Sequence, residues 1–257
     1  MRNRFAPVIS LATFIGGWYA LAYSLDRNFA TNDGSALIVP PPHRLFEGLN
    51  DRTIERISIA TGISVATAFV GLVIAVIVGS LLGLFMASTR SAERAVWPWL
   101  IALQVTPVIV LTPIIVRILG PSFGARVFVT VIVALFPIAS NVLFGVRSIP
   151  QPLRDLFVLR RASNVEVLRE LWIPAALPSF FAGLRISAGL AVIGSIVGDF
   201  FFTRGEPGLG RLINYFFLDT RSGPMFVTAM VASLIGLLFF AAAGALRKLV
   251  VDPWNQP

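Results

Sequence analysis

Runs of about 20 apolar residues recur along the whole chain, each long enough to cross a hydrocarbon core about 30 Å thick. The plainest is "ISVATAFVGLVIAVIVGSLLGLFMA", residues 63–87. Short segments between the runs carry most of the charge. A water-soluble domain has about 25% charged residues; this chain has 13% and a mean hydropathy of +0.82. Lipid offers the backbone no hydrogen-bond partners, so spanning segments must be helices or a closed barrel. The alternating pattern of a membrane barrel is absent. The expected fold is therefore all-α: a polytopic membrane protein with about six transmembrane helices.

Length and polarity place the spans at about 6–25, 60–87, 95–118, 126–146, 180–202 and 224–246, in one transmembrane domain covering 1–257. A polar stretch, 147–179, separates the fourth from the fifth. Loop 203–223 is turn-rich, and "HRLFEGL" after Pro40-Pro41-Pro42 suits a short surface helix. The N-terminus has the outline of a signal peptide: Arg2 and Arg4, an apolar run, then Ala20-Leu21-Ala22. The run is long and further spans follow, so it is expected to stay as the first span. No internal repeat or low-complexity segment is visible.

The net charge is +8. The cations lie between the apolar runs, as in loops flanking membrane spans, rather than in a cluster with exposed aromatics. Membrane lipid, not nucleic acid, is the expected surroundings. A weak Lys/Arg excess on one side puts both termini in the cytoplasm. With no Cys and one His, disulfides and Cys/His metal sites are excluded, and no catalytic cluster of acids is apparent. The single Lys, Lys248, follows no glycine-rich phosphate loop.

Two spans carry rows of small residues: Gly71, Ala75, Gly79, Gly83 and Ala87 in the second, and Gly183, Ser187, Ala191, Ser195 and Asp199 in the fifth. Such rows let helix backbones approach closely in lipid, and packing within the subunit is the expected use. Asp199 stands out, because a carboxylate in a span is costly. It faces a cavity or partner, or sits hydrated at the outer interface. The third span is interrupted at Pro107 and Pro113, and the fourth at Pro137. Interrupted spans point to transport pathways. Gln104, Thr106, Ser140 and Asn141 lie beside these breaks. With Pro107, Pro113, Ser195 and Asp199 they are candidates for pathway lining, with interhelical hydrogen bonding as the equal alternative.

The polar stretch holds a charged segment, "RRASNVEVLRELWIPAALP". Ser163 followed by Glu166 is a capping box, in which side chain and backbone satisfy each other at a helix start. Val165, Leu168 and Trp172 then fall on one face, with Glu166, Arg169 and Glu170 elsewhere. Pro174 is expected to stop the helix near Ile173, giving a helix of about nine residues, ~13 Å long. That is too short to span. Charge of both signs suits a docking knob for a partner protein better than a helix lying on anionic lipid.

This segment resembles the EAA loop of ABC-importer permease subunits, in the nitrate/sulfonate/taurine and thiamine-precursor subgroup. Asp155-Leu156-Phe157 stands where the family has Glu-Ala-Ala. Ala162-Ser163 follows, and Ile173-Pro174 and Leu177-Pro178 match the paired-proline end. Further similarities cover most of the chain: "IVPPPHRLFEGL", "QVTPVIVLTPIIVRILG", "FPIASNVLFGVRSIPQPLRDL", "GEPGLGRLI" and the terminal "DPW". Two positions depart from the pattern. Arg161 replaces the loop Gly, which accepts positive φ freely, and Phe157 replaces a small Ala.

The resemblance implies a permease of a type I importer in a bacterial inner membrane. A second permease subunit, identical or different, would complete the pathway. A dimer of separate ABC ATPase subunits would bind ATP and Mg and grip the loop, with Arg160 and Arg169 among its residues. An external solute-binding protein would deliver a sulfonate-, nitrate- or taurine-type anion or a pyrimidine-type vitamin precursor. This chain would have no cofactor and no ATPase site. The alternative is a secondary, ion-coupled transporter, which would need intramembrane ionisable residues; Asp199 and Arg185 are the only ones near a span.

Overall fold

The computed structural model describes residues 6–29, 39–200 and 205–251. Arg2, Arg4, the end of the expected fifth span at 202 and the terminal Asp252-Pro253-Trp254 lie outside them. The described residues form ten α-helices: α1 Ala6–Phe29, α2 Asp51–Ser88, α3 Arg90–Val105, α4 Val108–Leu119, α5 Phe123–Arg147, α6 Gln151–Leu159, α7 Asn164–Glu166, α8 Ile173–Asp199, α9 Leu209–Leu218 and α10 Ser222–Val250. Five long apolar stretches can cross a membrane. A sixth crossing results if α3 and α4, bent by 100° at their junction, count as one broken span.

Helix α5 is the centre of the bundle, with α8 and α2 packed on it most extensively and α10 packed on α8. The small-residue rows make this possible. A Cβ at Gly71 would lie 2.4 Å from Thr130 Cγ2, and one at Gly83 would lie 2.7 Å from the Ala139 carbonyl oxygen. On the other side, a Cβ at Gly183 would lie 2.5 Å from the Pro137 carbonyl oxygen. The Ser187 hydroxyl donates to the Ala134 carbonyl at 2.7 Å. Ala75, Ala134, Ile138, Val142 and Ala191 are buried together where the three helices meet. Both rows thus serve packing within the subunit, as their spacing suggests. Helix α1 is peripheral. Trp18 packs on Phe226 and donates its indole N–H to the Pro40 carbonyl.

Four local expectations are corrected. Helix α2 starts at Asp51, well before the apolar run, because the Asn50 side chain accepts from the Thr53 N–H and caps it. The third span breaks once, at Thr106-Pro107; Pro113 lies inside the unbroken α4. The segment "HRLFEGL" makes a single 3-10 turn, Pro42–Arg44, followed by a turn in which Gly48 takes a φ of +79°. Loop 203–223 contains the ten-residue α9, whose Leu209, Leu212 and Phe216 are buried.

If close approach to α5 holds the bundle together, Gly83→Val overpacks it and lowers stability by roughly 1–3 kcal/mol. Gly62→Ala, at a position with nothing within 4 Å, is close to neutral. Thermal unfolding midpoints in detergent check the pair.

Candidate functional site

Two regions concentrate polar chemistry: the segment between α5 and α8, and the junction of α5, α8 and α9. The first begins where α5 ends. Arg154 reaches back from α6 and donates to the Val146 and Ile149 carbonyls at 2.8 and 3.2 Å. Arg147 pairs with Glu93 of α3. The loop base is thus tied to two helices. Close packing of α5 on the start of α8, where a Cβ at Gly145 would lie 2.8 Å from Ala176 Cα, fixes where the segment returns.

Helix α6 ends in a left-handed turn. The Ala162 N–H donates to the Phe157 carbonyl and the Arg161 N–H to the Val158 carbonyl, both at 3.0 Å. This is the Schellman arrangement, which favours glycine at the position Arg161 occupies. Arg161 takes that conformation, with φ +50°, at a cost of about 1–2 kcal/mol for an L-residue with a Cβ. The turn is kept although its usual glycine is not. Phe157 is half-buried and packs with Leu171 and Trp172. Arg160 lies 4.9 Å over its ring and pairs with Glu170 at 2.7 Å, a contact that raises the Arg160 pKa. The Asp155 carboxylate accepts from Gln151 at 2.8 Å.

The capping box forms as its spacing suggests. The Ser163 N–H donates to Glu166 Oε2 at 2.6 Å, and the Glu166 N–H donates to Ser163 Oγ at 3.3 Å. The bond from the Ser163 backbone, then that from its hydroxyl, holds the Glu166 carboxyl below its ordinary range. The cap's contribution is therefore complete above the usual carboxylate pKa and is lost as the pH falls through the lowered value.

The helix does not stop at Ile173. Residues Val167–Trp172 form a π-helical turn, closed by the Ile173 N–H donating to the Leu168 carbonyl, and α8 continues through Pro174 and Pro178. A proline in an α-helix clashes with the carbonyl four residues back, and the wider turn just before Pro174 relieves that crowding. It also shifts the face: Val167, Leu171 and Trp172 turn inward, while Val165 is exposed. Ala162 is half-buried, Arg169 is exposed, and Leu177 and Pro178 are half-buried where α8 enters the bundle. A projecting edge of exposed apolar side chains remains: Leu156, Val158, Leu159 and Val165.

The second region is built around Asp199, which is only 1% exposed. Arg126 Nε lies 3.3 Å from Asp199 Oδ1, and Arg126 also donates to the Glu206 carbonyl at 2.9 Å. Asp199 Oδ2 accepts from the Arg211 N–H at 2.8 Å, and Ser64 Oγ accepts from the Leu209 N–H at 2.9 Å. Helix α9 has glycine, with no side chain, at its N-cap. Its free N–H groups are instead capped by residues from α8 and α2. An anionic side chain at a helix N-terminus is also favoured by the dipole. The approach requires glycine: a Cβ at Gly210 would lie 2.0 Å from the Ile196 carbonyl oxygen. Of the two readings for Asp199, the structure selects a partner.

The structure does not bring the remaining pathway candidates into one polar surface. Gln104 and Pro107 are exposed beside the α3–α4 bend, Pro113 is exposed on α4, and Thr106 donates to the Ala102 carbonyl. Ser140 and Asn141 donate to carbonyls on their own helix next to Pro137, and Ser195 donates to Val192. Arg126 was not singled out from sequence; an Arg inside the apolar run that begins the fourth span was the available signal.

Comparisons with known proteins agree on one group. A family model described as "Binding-protein-dependent transport system inner membrane component" matches residues 75–252. The formylaminopyrimidine transport permease protein of Halalkalibacterium halodurans is 36% identical over 75% of this chain and 76% of the relative. The riboflavin transport system permease protein of Chloroflexus aurantiacus is 35% identical over 64% and 61%. A nitrate import permease protein of a Synechocystis species is 25% identical over 95% and 88%. A solved structure described as inward-facing conformations of the MetNI methionine ABC transporter superposes with a TM-score of 0.55. It is 19% identical and covers 77% of this chain and 99% of that one, which speaks to the fold alone.

Asp199→Asn removes the carboxylate paired with buried Arg126 and destabilises by about 3–5 kcal/mol. Adding Arg126→Gln removes the other half of the same pair, so the double variant loses less than the sum of the singles. A double-mutant cycle on unfolding in detergent checks this; additive losses would mean the two groups do not interact.

Proposed function

The chain belongs to the family of binding-protein-dependent transport system inner membrane components, and from that premise we propose how it works in its importer. It is a multi-pass permease subunit of an ABC importer. In the proposed assembly, one transmembrane domain pairs with a second permease subunit to form the pathway. Both termini lie in the cytoplasm, an external binding protein delivers the solute, and ATP with Mg is bound and hydrolysed by a dimer of separate subunits.

Residues Asp155 to Pro178 are the ATPase-docking element. The observation that carries this reading is the exposed apolar edge of Leu156, Val158, Leu159 and Val165 on a short, capped, charge-flanked hairpin. Large apolar side chains projecting in a row at the polar end of a bundle fit a protein groove. The hairpin is tied to α5 through Arg154, its base is tied to α3 through Arg147 and Glu93, and it runs without a break into α8. A push on the hairpin is thereby delivered to the two central helices.

The proposed solute is a heterocyclic vitamin-type compound. Two of the most similar relatives are named for formylaminopyrimidine and riboflavin, at 36% and 35% identity, against 25% for the nitrate relative.

Coexpressed with candidate ATPase subunits and purified through a tag on this chain alone, the wild type brings down a stoichiometric ATPase. Asp155→Ala and Glu166→Ala, both at exposed positions, lower its recovery or its solute-stimulated activity. A stable, folded chain that retains no ATPase would contradict the proposal and favour an ion-coupled carrier.

A further inference from the structure

Three cations converge on one cavity between α8 and α10. Arg185 leaves α8 seven residues beyond Pro178, about 10 Å along the helix and inside the span. Its guanidinium lies over Phe240, 4.0 Å from the ring centroid, and its Nε lies 3.7 Å from where a Cβ at Gly244 would stand. Arg247 and Lys248 stand on the last turns of α10. With Ala241, Gly244 and Ala245 they line a cavity of about 390 Å³ with Arg185. No carboxylate among the described residues forms an ion pair with any of the three.

Arg247 and Lys248 alone would be explained by the negative end of the α10 dipole. Arg185 would not, since it comes from another helix. A cation within a span marks a site, and three like charges around one cavity favour an anion among them. Exposed apolar side chains lie one helical turn further along α10. The same face of α10 runs on through exposed Leu237 and Leu238, and Ile186 and Ile193 are exposed on α8. Small residues at 241, 244 and 245 keep the groove open. Cations at one end and exposed apolar side chains along the rest suit an amphiphile. Basic pockets between spans on the cytoplasmic side take anionic headgroups.

We propose that this cavity binds the phosphate group of an anionic phospholipid, with its acyl chains lying along α8 and α10. Arg185 grips the phosphate from within the span, and Arg247 and Lys248 close over it at headgroup level. The bound lipid screens the three cations from one another and staples α10 to α8.

The test uses the full chain, with whatever subunits purify with it, in nanodiscs and after detergent delipidation. Mass spectrometry of retained lipid is expected to find phosphatidylglycerol kept in preference to phosphatidylcholine. The Arg247→Gln/Lys248→Gln variant, altered only at exposed positions, weakens this retention by about thirtyfold, from about 1 kcal/mol per cation. Arg90→Gln/Arg94→Gln, a matched charge removal on α3, leaves it unchanged. Equal retention of both lipids, or retention indifferent to Arg247 and Lys248, would overturn the proposal. So would displacement of the lipid by millimolar inorganic phosphate, which would make a free anion the ligand. Retention is read without transport or ATP hydrolysis, so its failure is separate from any failure of the importer reading.

Discussion

Close backbone contact on α5 is the constraint on which the rest depends. In lipid, no hydrophobic force drives one apolar helix against another, so association falls to close packing and buried hydrogen bonds. Glycines of α2 approach α5 from one side and glycines of α8 from the other. The Ser187–Ala134 hydrogen bond crosses the second interface. Two polar regions hang from this three-helix core. The hairpin between α5 and α8 joins the two most tightly packed helices at one end, and the Arg126–Asp199 pair joins their opposite ends.

That arrangement gives the permease reading a mechanical basis. α5 and α8 are bound along their full length, so movement imposed at Arg147–Pro178 reaches Asp199. There Asp199 and Ser64 cap α9 from outside it. A small helix whose first turn is held by residues of α2 and α8 must follow the relative position of those two helices. The turn at Gly208-Leu209-Gly210 is thus coupled to the core by hydrogen bonds.

The sequence was most legible where chemistry is local. Ser163 and Glu166 stand three apart, and the capping box follows from that spacing alone. The small-residue rows likewise announced close packing. It was least legible where distant partners decide the outcome. Pro174 should end a helix by its own stereochemistry, but a π-turn over Val167–Trp172 rearranges the carbonyls behind it. Helix α9 was hidden in a glycine- and proline-rich loop because its caps come from Ser64 and Asp199, far away in the chain. Arg161 shows the third case: a residue poorly suited to positive φ adopts it because the flanking hydrogen bonds fix the turn. The pathway candidates were read from polarity beside prolines; Thr106, Ser140 and Asn141 donate to carbonyls of their own helices, and Gln104 is exposed.

The central claim is that the hairpin's exposed apolar edge seats in the ATPase subunit. The chain has no Cys, so a single introduced thiol reports one contact cleanly. Leu159→Cys places it at the tip of the hairpin, and Phe46→Cys, on the opposite side of the bundle, serves as the control. With a thiol-to-amine cross-linker and coexpressed ATPase, Leu159→Cys is expected to form a product of permease plus ATPase mass that Phe46→Cys does not. A cross-link from Phe46→Cys and none from Leu159→Cys would contradict both the docking site and the orientation on which it rests.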